Sequence, residues 1–162
     1  NLTMVGRNPD TAPSEGASRG IIFREGTAAT LANAIVTNFT SAGIIVDKAS
    51  TATQWSTGAL TVRNSIFWNN PNVGWQDMML MPDNMFNEAT ELAATPLANR
   101  QVDPQLTAPT AAIPNWAPQA GSPALTGGAT PPSDGFFDST ATFVGAIGAE
   151  DWTSGWTVMV AN

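Results

Sequence analysis

The chain has no cysteine and no histidine. Without thiols it forms no disulfide and no thiolate metal site. Without imidazole it lacks the commonest general base and metal ligand near neutral pH, and no Ser-His-Asp triad can be assembled. Tyrosine is absent too, and lysine occurs once, at Lys48. Lys and Arg total 6 against 13 Asp and Glu, a formal net charge of −7. Nucleic acids and anionic membrane surfaces need basic patches, so neither is an expected partner. No apolar run is long enough to span a membrane. No signal-peptide pattern is present and the first residue is Asn1, which is read as the start of a mature or excised piece. Charged residues make up only 12% and hydrophobic ones 43%. That balance favours a packed core over disorder, and 162 residues suit a single domain (1–162).

What is present is a repeat. Gly20-Ile21-Ile22-Phe23 matches Gly43-Ile44-Ile45-Val46, and Thr27 matches Ser50. Ala29, Leu31, Asn33 and Ile35 match Leu60, Val62, Asn64 and Ile66, and Asn38 matches Asn69. The glycines lie 43 − 20 = 23 residues apart and the last asparagines 69 − 38 = 31, so the second copy carries about 8 extra residues near Thr51 to Gly58. Repeats of this period belong to stacked architectures. Each copy alternates apolar and polar residues in short runs rich in Ile, Val, Phe and Thr, as strands do. Gly and Asn punctuate the runs where tight bends are needed. Stacking the copies in parallel would set Leu31 on Val62 and Ile35 on Ile66 as an interior ladder. It would also set Asn33 on Asn64, amide on amide. Arg24 would meet Asp47 and Glu25 would meet Lys48, two pairs of opposite sign.

This pattern resembles the right-handed parallel β-helix, or pectin-lyase-like, superfamily. Two later stretches strengthen the resemblance. Asp103-Pro104-Gln105-Leu106, Pro114-Asn115-Trp116-Ala117-Pro118 and Gly121-Ser122-Pro123-Ala124 are similar to an ending found in secreted bacterial β-helix proteins. The stretch from Asp134 through Val144-Gly145-Ala146 to Asp151-Trp152-Thr153 and Gly155-Trp156-Thr157 resembles the terminal region that often follows it. The resemblance implies an all-β fold, a short right-handed parallel β-helix of two to three coils, in an exported or cell-surface protein. The scarcity of lysine alongside abundant Thr, Ala, Asn and Gly points the same way.

The remainder divides around the repeat at 20–70. Residues 1–19 are read as a partial coil or cap, with Leu2 to Val5 as a strand of an earlier turn and loop chemistry at Asn8-Pro9-Asp10. Two copies are few for a stacked fold, so the first needs covering by residues 1–19, by upstream coils of the same protein, or by another chain. Residues 71–101 hold the cluster Met78-Met79-Leu80-Met81, read as a lid or an adaptable interface. A short helix is expected from Asp83 or Asn84 to about Ala94, before Pro96. Residues 102–133 are Pro-rich, which excludes regular helix and favours an extended wrap in which Ile113, Trp116 and Leu125 are buried. Strand alternation is expected again at Thr142, Val144 and Ala146 and at Trp156, Val158 and Val160, with Ser154-Gly155 as a turn.

Catalytic chemistry is thin. The resemblance implies that an enzyme of this kind would be a polysaccharide lyase, with carboxylates on calcium and an Arg or Lys as base. Glu25 and Asp47, with Asp77 and Asp103 outside the repeat, are the available calcium ligands, and Arg24 and Arg63 the available bases. No tight trio of acids appears and Glu25 and Asp47 already have ladder partners, so no catalytic residue, metal site or cofactor is assigned. Six tryptophans are the other resource. Trp55, Trp68 and Trp75 lie on or beside the second copy and would suit stacking on sugar rings. Packing of Trp68 and Trp116 under flanking loops is the plainer role. Asn1-Leu2-Thr3 and Asn38-Phe39-Thr40 match the glycosylation sequon, although a turn role explains Asn38. The residues favour a non-catalytic structural or interaction module that docks another subunit or copy through its end or flank. The alternative is a carbohydrate-binding or lyase-like module acting on an acidic polysaccharide.

Overall fold

A computed structural model describes residues 1–6, 18–70, 86–155 and 157–158. Nine strands and two short helices occur there: β1 Leu2–Val5, β2 Arg19–Phe23, β3 Ala29–Ala32, β4 Ala34–Thr37, β5 Ala42–Val46, α1 Ala49–Ser56, β6 Leu60–Arg63, β7 Ile66–Trp68, α2 Glu88–Leu92, β8 Leu106–Ala108 and β9 Asn115–Pro118. The chain is strand-rich, and its repeat is built from parallel sheets. Strand β2 pairs with β5, β3 with β6, and β4 lies between β1 and β7. The triplet β5–β6–β7 is therefore laid strand for strand on β2–β3–β4. The register is the one the repeat requires: Ile21 faces Ile44, Leu31 faces Val62 and Ile35 faces Ile66. Leu2 to Val5 form the anticipated strand of an earlier turn, with Leu2 opposite Ala34. The extra residues of the second copy fold outward as α1, which leaves the register on either side intact.

The turns between strands explain the asparagines. Asn33 and Asn64 have φ of 57° and 50°, and Asn38 and Asn69 have φ of 63° and 49°. Among non-glycine residues Asn tolerates this left-handed region best, so these positions fix the corners. The expected stack of Asn33 on Asn64 is not how their amides are used. Asn33 Nδ2 donates to Ala129 O (2.9 Å) and to Asn1 Oδ1 (3.2 Å), and its Oδ1 accepts from Ala129 N (2.7 Å). Asn64 Nδ2 donates to Gly127 O (3.1 Å). Amide-on-amide stacking occurs one corner along, where Asn69 Nδ2 donates to Asn38 Oδ1.

The interior ladder also needs correcting. Strand side chains alternate sides. Ala34 and Val36 of β4 point into the central core with Ile44, Val62, Phe67 and Leu92. Ile35 and Ile66 point the other way. They form a second core with Leu106, Ala124 and Val144, beneath the C-terminal segment. Leu31 stays with the interior set. A fully buried aliphatic side chain contributes about 1.5–3 kcal/mol relative to exposure, so both faces of this sheet stabilise the fold.

The C-terminal segment is thus a covering layer. Its β8–β9 hairpin is antiparallel, and a 3-10 turn runs from Pro123 to Leu125. Val144 N donates to Ala124 O, Gly145 N to Asn33 O and Ala146 N to Thr3 Oγ1. No strand forms around Thr142, Val144 and Ala146, against the expectation. Gly145 has φ 95°, and a Cβ there would lie 2.6 Å from Ile35 Cδ1, so the backbone bends to lie flat on the sheet. The turn at Ser154-Gly155 is present. Trp156 and Val160 lie outside the described residues.

Helix α2 begins later than expected, with Asn87 as its cap: Asn87 Oδ1 accepts from Thr90 N at 3.0 Å. Asp83 and Asn84 lie outside the described residues. So do Trp75, Asp77 and Met78, Met79, Leu80 and Met81.

Candidate functional site

The two ends of the strand stack differ. Over the second triplet, residues 86–100 bond to all three strands. Glu88 is fully buried, and its Oε1 accepts from Val46 N of β5 (2.7 Å). Asn99 Nδ2 donates to Val62 O of β6 (2.8 Å) and to Leu92 O (3.1 Å), while its Oδ1 accepts from Ser65 N (3.1 Å). Arg100 forms a parallel bridge with Ile66 of β7. Its guanidinium reaches on to Pro123 O (3.0 Å) and Thr126 O (2.9 Å), and burial lowers its pKa from the ordinary value. The Glu88 carboxylate, the Asn99 amide and the Arg100 backbone thus each engage one strand at this end.

At the other end, β1, β2 and β3 each pair along one edge only among the described residues. Leu2, Ile21, Phe23 and Leu31 pack on the central core but are only partly buried. Ala34, Val36, Ile44 and Val62 in the strands beneath are 0% exposed. Ile22 is 39% exposed on the outer face of β2, whereas its partner Ile45 is 0% exposed. Charges rim this end. Arg24 reaches Glu25 (3.2 Å) and Asp47 (4.0 Å), and Arg19 is exposed. Among the described residues the arrangement offers strand edges without a partner around apolar side chains, which is the chemistry of strand addition.

The other candidates from the sequence are dispersed. Arg24 and Asp47 are adjacent, as the ladder requires, and Glu25 turns to Arg24. Glu25 and Lys48 are both corner residues, with φ of 54° and 74°. Trp55 sits on α1, half-buried and edge-on to Phe86 at 5.3 Å, with Nε1 donating to Glu91 Oε2 (3.0 Å). It is a packing residue. Trp68, a candidate for stacking on sugar with packing under a loop as the plainer role, ends β7 and is 40% exposed. Trp116 is half-buried in β9. Asp103 accepts from Gln105 N (2.8 Å). Among the described residues no three acids gather as a metal group would need. No described helix is long and apolar enough to cross a membrane.

Reading the sequence missed Glu88, Asn99 and Arg100. Asn99 and Arg100 stand opposite Ser65 and Ile66, as a further, degenerate copy of the repeat in which Ala98 (φ 52°) takes the corner held by Asn64. The replacement of Asn by Ala hides the copy. Glu88 gave no signal, because a lone acid in a short helix reads as a solvated one.

No protein-family model, curated protein or solved structure matches the chain.

Proposed function

We propose that the chain is a non-catalytic structural module, a short right-handed parallel β-helix of an exported or cell-surface protein. The β1–β2–β3 end, whose outer edges have no partner among the described residues, takes a further layer of parallel strands, from upstream coils or from another chain. The observation that carries this reading is the contrast between ends: residues 86–100 cover β5, β6 and β7, while the outer edges of β1, β2 and β3 have no described partner. The repeat itself specifies what fits there. A strand with the same alternation, entered through a left-handed Asn or Gly corner, would place its apolar residues on Leu2, Ile21, Phe23 and Leu31.

Light scattering across micromolar to millimolar concentrations tests this, comparing the unaltered chain with the double variant Ile22→Lys and Thr30→Lys. Both positions are exposed on the outer face, and lysine on an edge strand discourages pairing while leaving the interior unaltered. The unaltered chain is expected to associate and the variant to stay monomeric with unchanged far-UV circular dichroism. A strictly monomeric unaltered chain at millimolar concentration, with slow amide exchange in β2 and β3, would count against an open end.

A further inference from the structure

Away from the strand stack, an open groove of about 430 Å³ lies between the hairpin loop and the C-terminal turn. That volume falls within the range of small-molecule sites, about 300–1,000 Å³. Its lining is divided by chemistry. Ile113 and Trp116 of the hairpin and Ile147 supply an apolar part, and Asn115, Asp151 and Ser154 supply a polar one. The polar groups are held in place. Asp151 Oδ1 accepts from Thr153 N (3.0 Å) and Thr153 Oγ1 (2.6 Å), so the carboxylate is fixed while Oδ2 keeps its hydrogen-bonding capacity. Asn115 Oδ1 accepts from Ala117 N (2.9 Å), which leaves Nδ2 as a donor. The Trp116 indole is oriented by its Nε1 bond to Pro109 O (3.3 Å).

We infer that this groove binds a neutral sugar residue. A pyranose carries the same division, with an apolar face of C–H groups and an edge of hydroxyls. The C–H face suits an aromatic and aliphatic wall. Adjacent hydroxyls suit a charged acceptor beside a neutral donor, here Asp151 Oδ2 and Asn115 Nδ2. No Lys or Arg is among the described residues that line the groove. A uronate or a phosphorylated sugar would meet the Asp151 carboxylate with no compensating cation. The inference goes beyond the docking role proposed for the strand end and does not depend on it.

The test is an NMR titration of the full chain with the methyl glycosides of glucose, mannose, galactose and N-acetylglucosamine, and with galacturonate. At least one neutral glycoside is expected to shift the Trp116 indole resonance saturably, and galacturonate is not. Asp151→Asn, which keeps an acceptor for Thr153, is expected to weaken that binding about tenfold, the loss of one charge-assisted hydrogen bond. Trp68→Ala is expected to leave it unchanged. Failure of all four neutral glycosides, equal binding of galacturonate, or indifference to Asp151→Asn would overturn the assignment. Loss of binding in Trp68→Ala would overturn it too, placing the sugar on β7 instead.

Discussion

Replacing Asn33 should damage the fold more than replacing its repeat-mate Asn64, although both occupy the same left-handed corner. Asn33 is 3% exposed and clamps Ala129 with two hydrogen bonds, at 2.7 and 2.9 Å. Ala129 is itself 7% exposed, so Asn33→Ala leaves a backbone donor and acceptor in a dry site. Each such orphan costs about 1–3 kcal/mol. Alanine at φ 57° adds roughly 1 kcal/mol. The sum is about 3–7 kcal/mol, a large part of the ~5–15 kcal/mol that stabilises an ordinary domain. It corresponds to a fall of roughly 6–28 °C in Tm for a chain of this size. Asn64→Ala suffers the same corner strain but loses one exposed bond to Gly127, so about 1–2 kcal/mol is expected. Urea unfolding followed by circular dichroism measures both. Asn33→Gly removes the clamp while relieving the corner, and should recover about 1 kcal/mol over alanine. If Asn33→Ala and Asn64→Ala agree within ~0.5 kcal/mol, the C-terminal segment is not held by the clamp, and its role as a covering layer is refuted.

Gly145→Ala should cost about 2–5 kcal/mol, read as a lowered urea midpoint, because its Cβ meets Ile35 Cδ1 at 2.6 Å at a backbone φ of 95°. Glu88→Ala removes the buried acceptor of Val46 N and should destabilise by about 1–3 kcal/mol, with faster amide exchange at Val46. Arg100→Lys cannot serve Pro123 O and Thr126 O together and should lower the urea midpoint by about 1–2 kcal/mol. The Asp138 carboxylate accepts from the Thr140 hydroxyl and backbone N–H, which lowers its pKa below the ordinary 3.8. A depressed carboxylate supports its turn at pH above the unfolded value and loses that support as pH falls through the folded one, so the effect lies below about pH 4. A carbon-13 titration of Asp138 should have its midpoint below 3.8, and Thr140→Val should raise it.

Much of the stack was legible because a repeat constrains register as well as element type. Once Gly20 was matched to Gly43 and Asn38 to Asn69, the pairs Leu31–Val62 and Ile35–Ile66 followed, and the extra residues could only bulge outward. Which face of β4 points inward was harder. Ala34, Ile35 and Val36 are all apolar, so alternation gives no direction until the covering segment is known, and both faces proved buried. The Asn corners were recognisable as turn residues, but the destination of a carboxamide depends on what crosses it, and Ala129 is 96 residues from Asn33. At Val144 the apolar alternation resembled a strand. Instead Val144 alone of Thr142, Val144 and Ala146 is buried, in a segment whose backbone bonds go to the sheet and its turns. The groove between Trp116 and Asp151 joins two stretches that share no motif, so only their packing reveals it.

The most direct measurement is residue-resolved amide exchange on the chain kept dilute enough to be monomeric. With an open end, Ile22 of β2 and Ala32 of β3, whose N–H groups face the outer edge, should exchange much faster than Ile45 of β5 and Arg63 of β6, whose N–H groups face the strands above them, and should slow when the chain associates. Equal protection of the two layers in the monomer would mean that the end is already covered, and the docking role would be wrong.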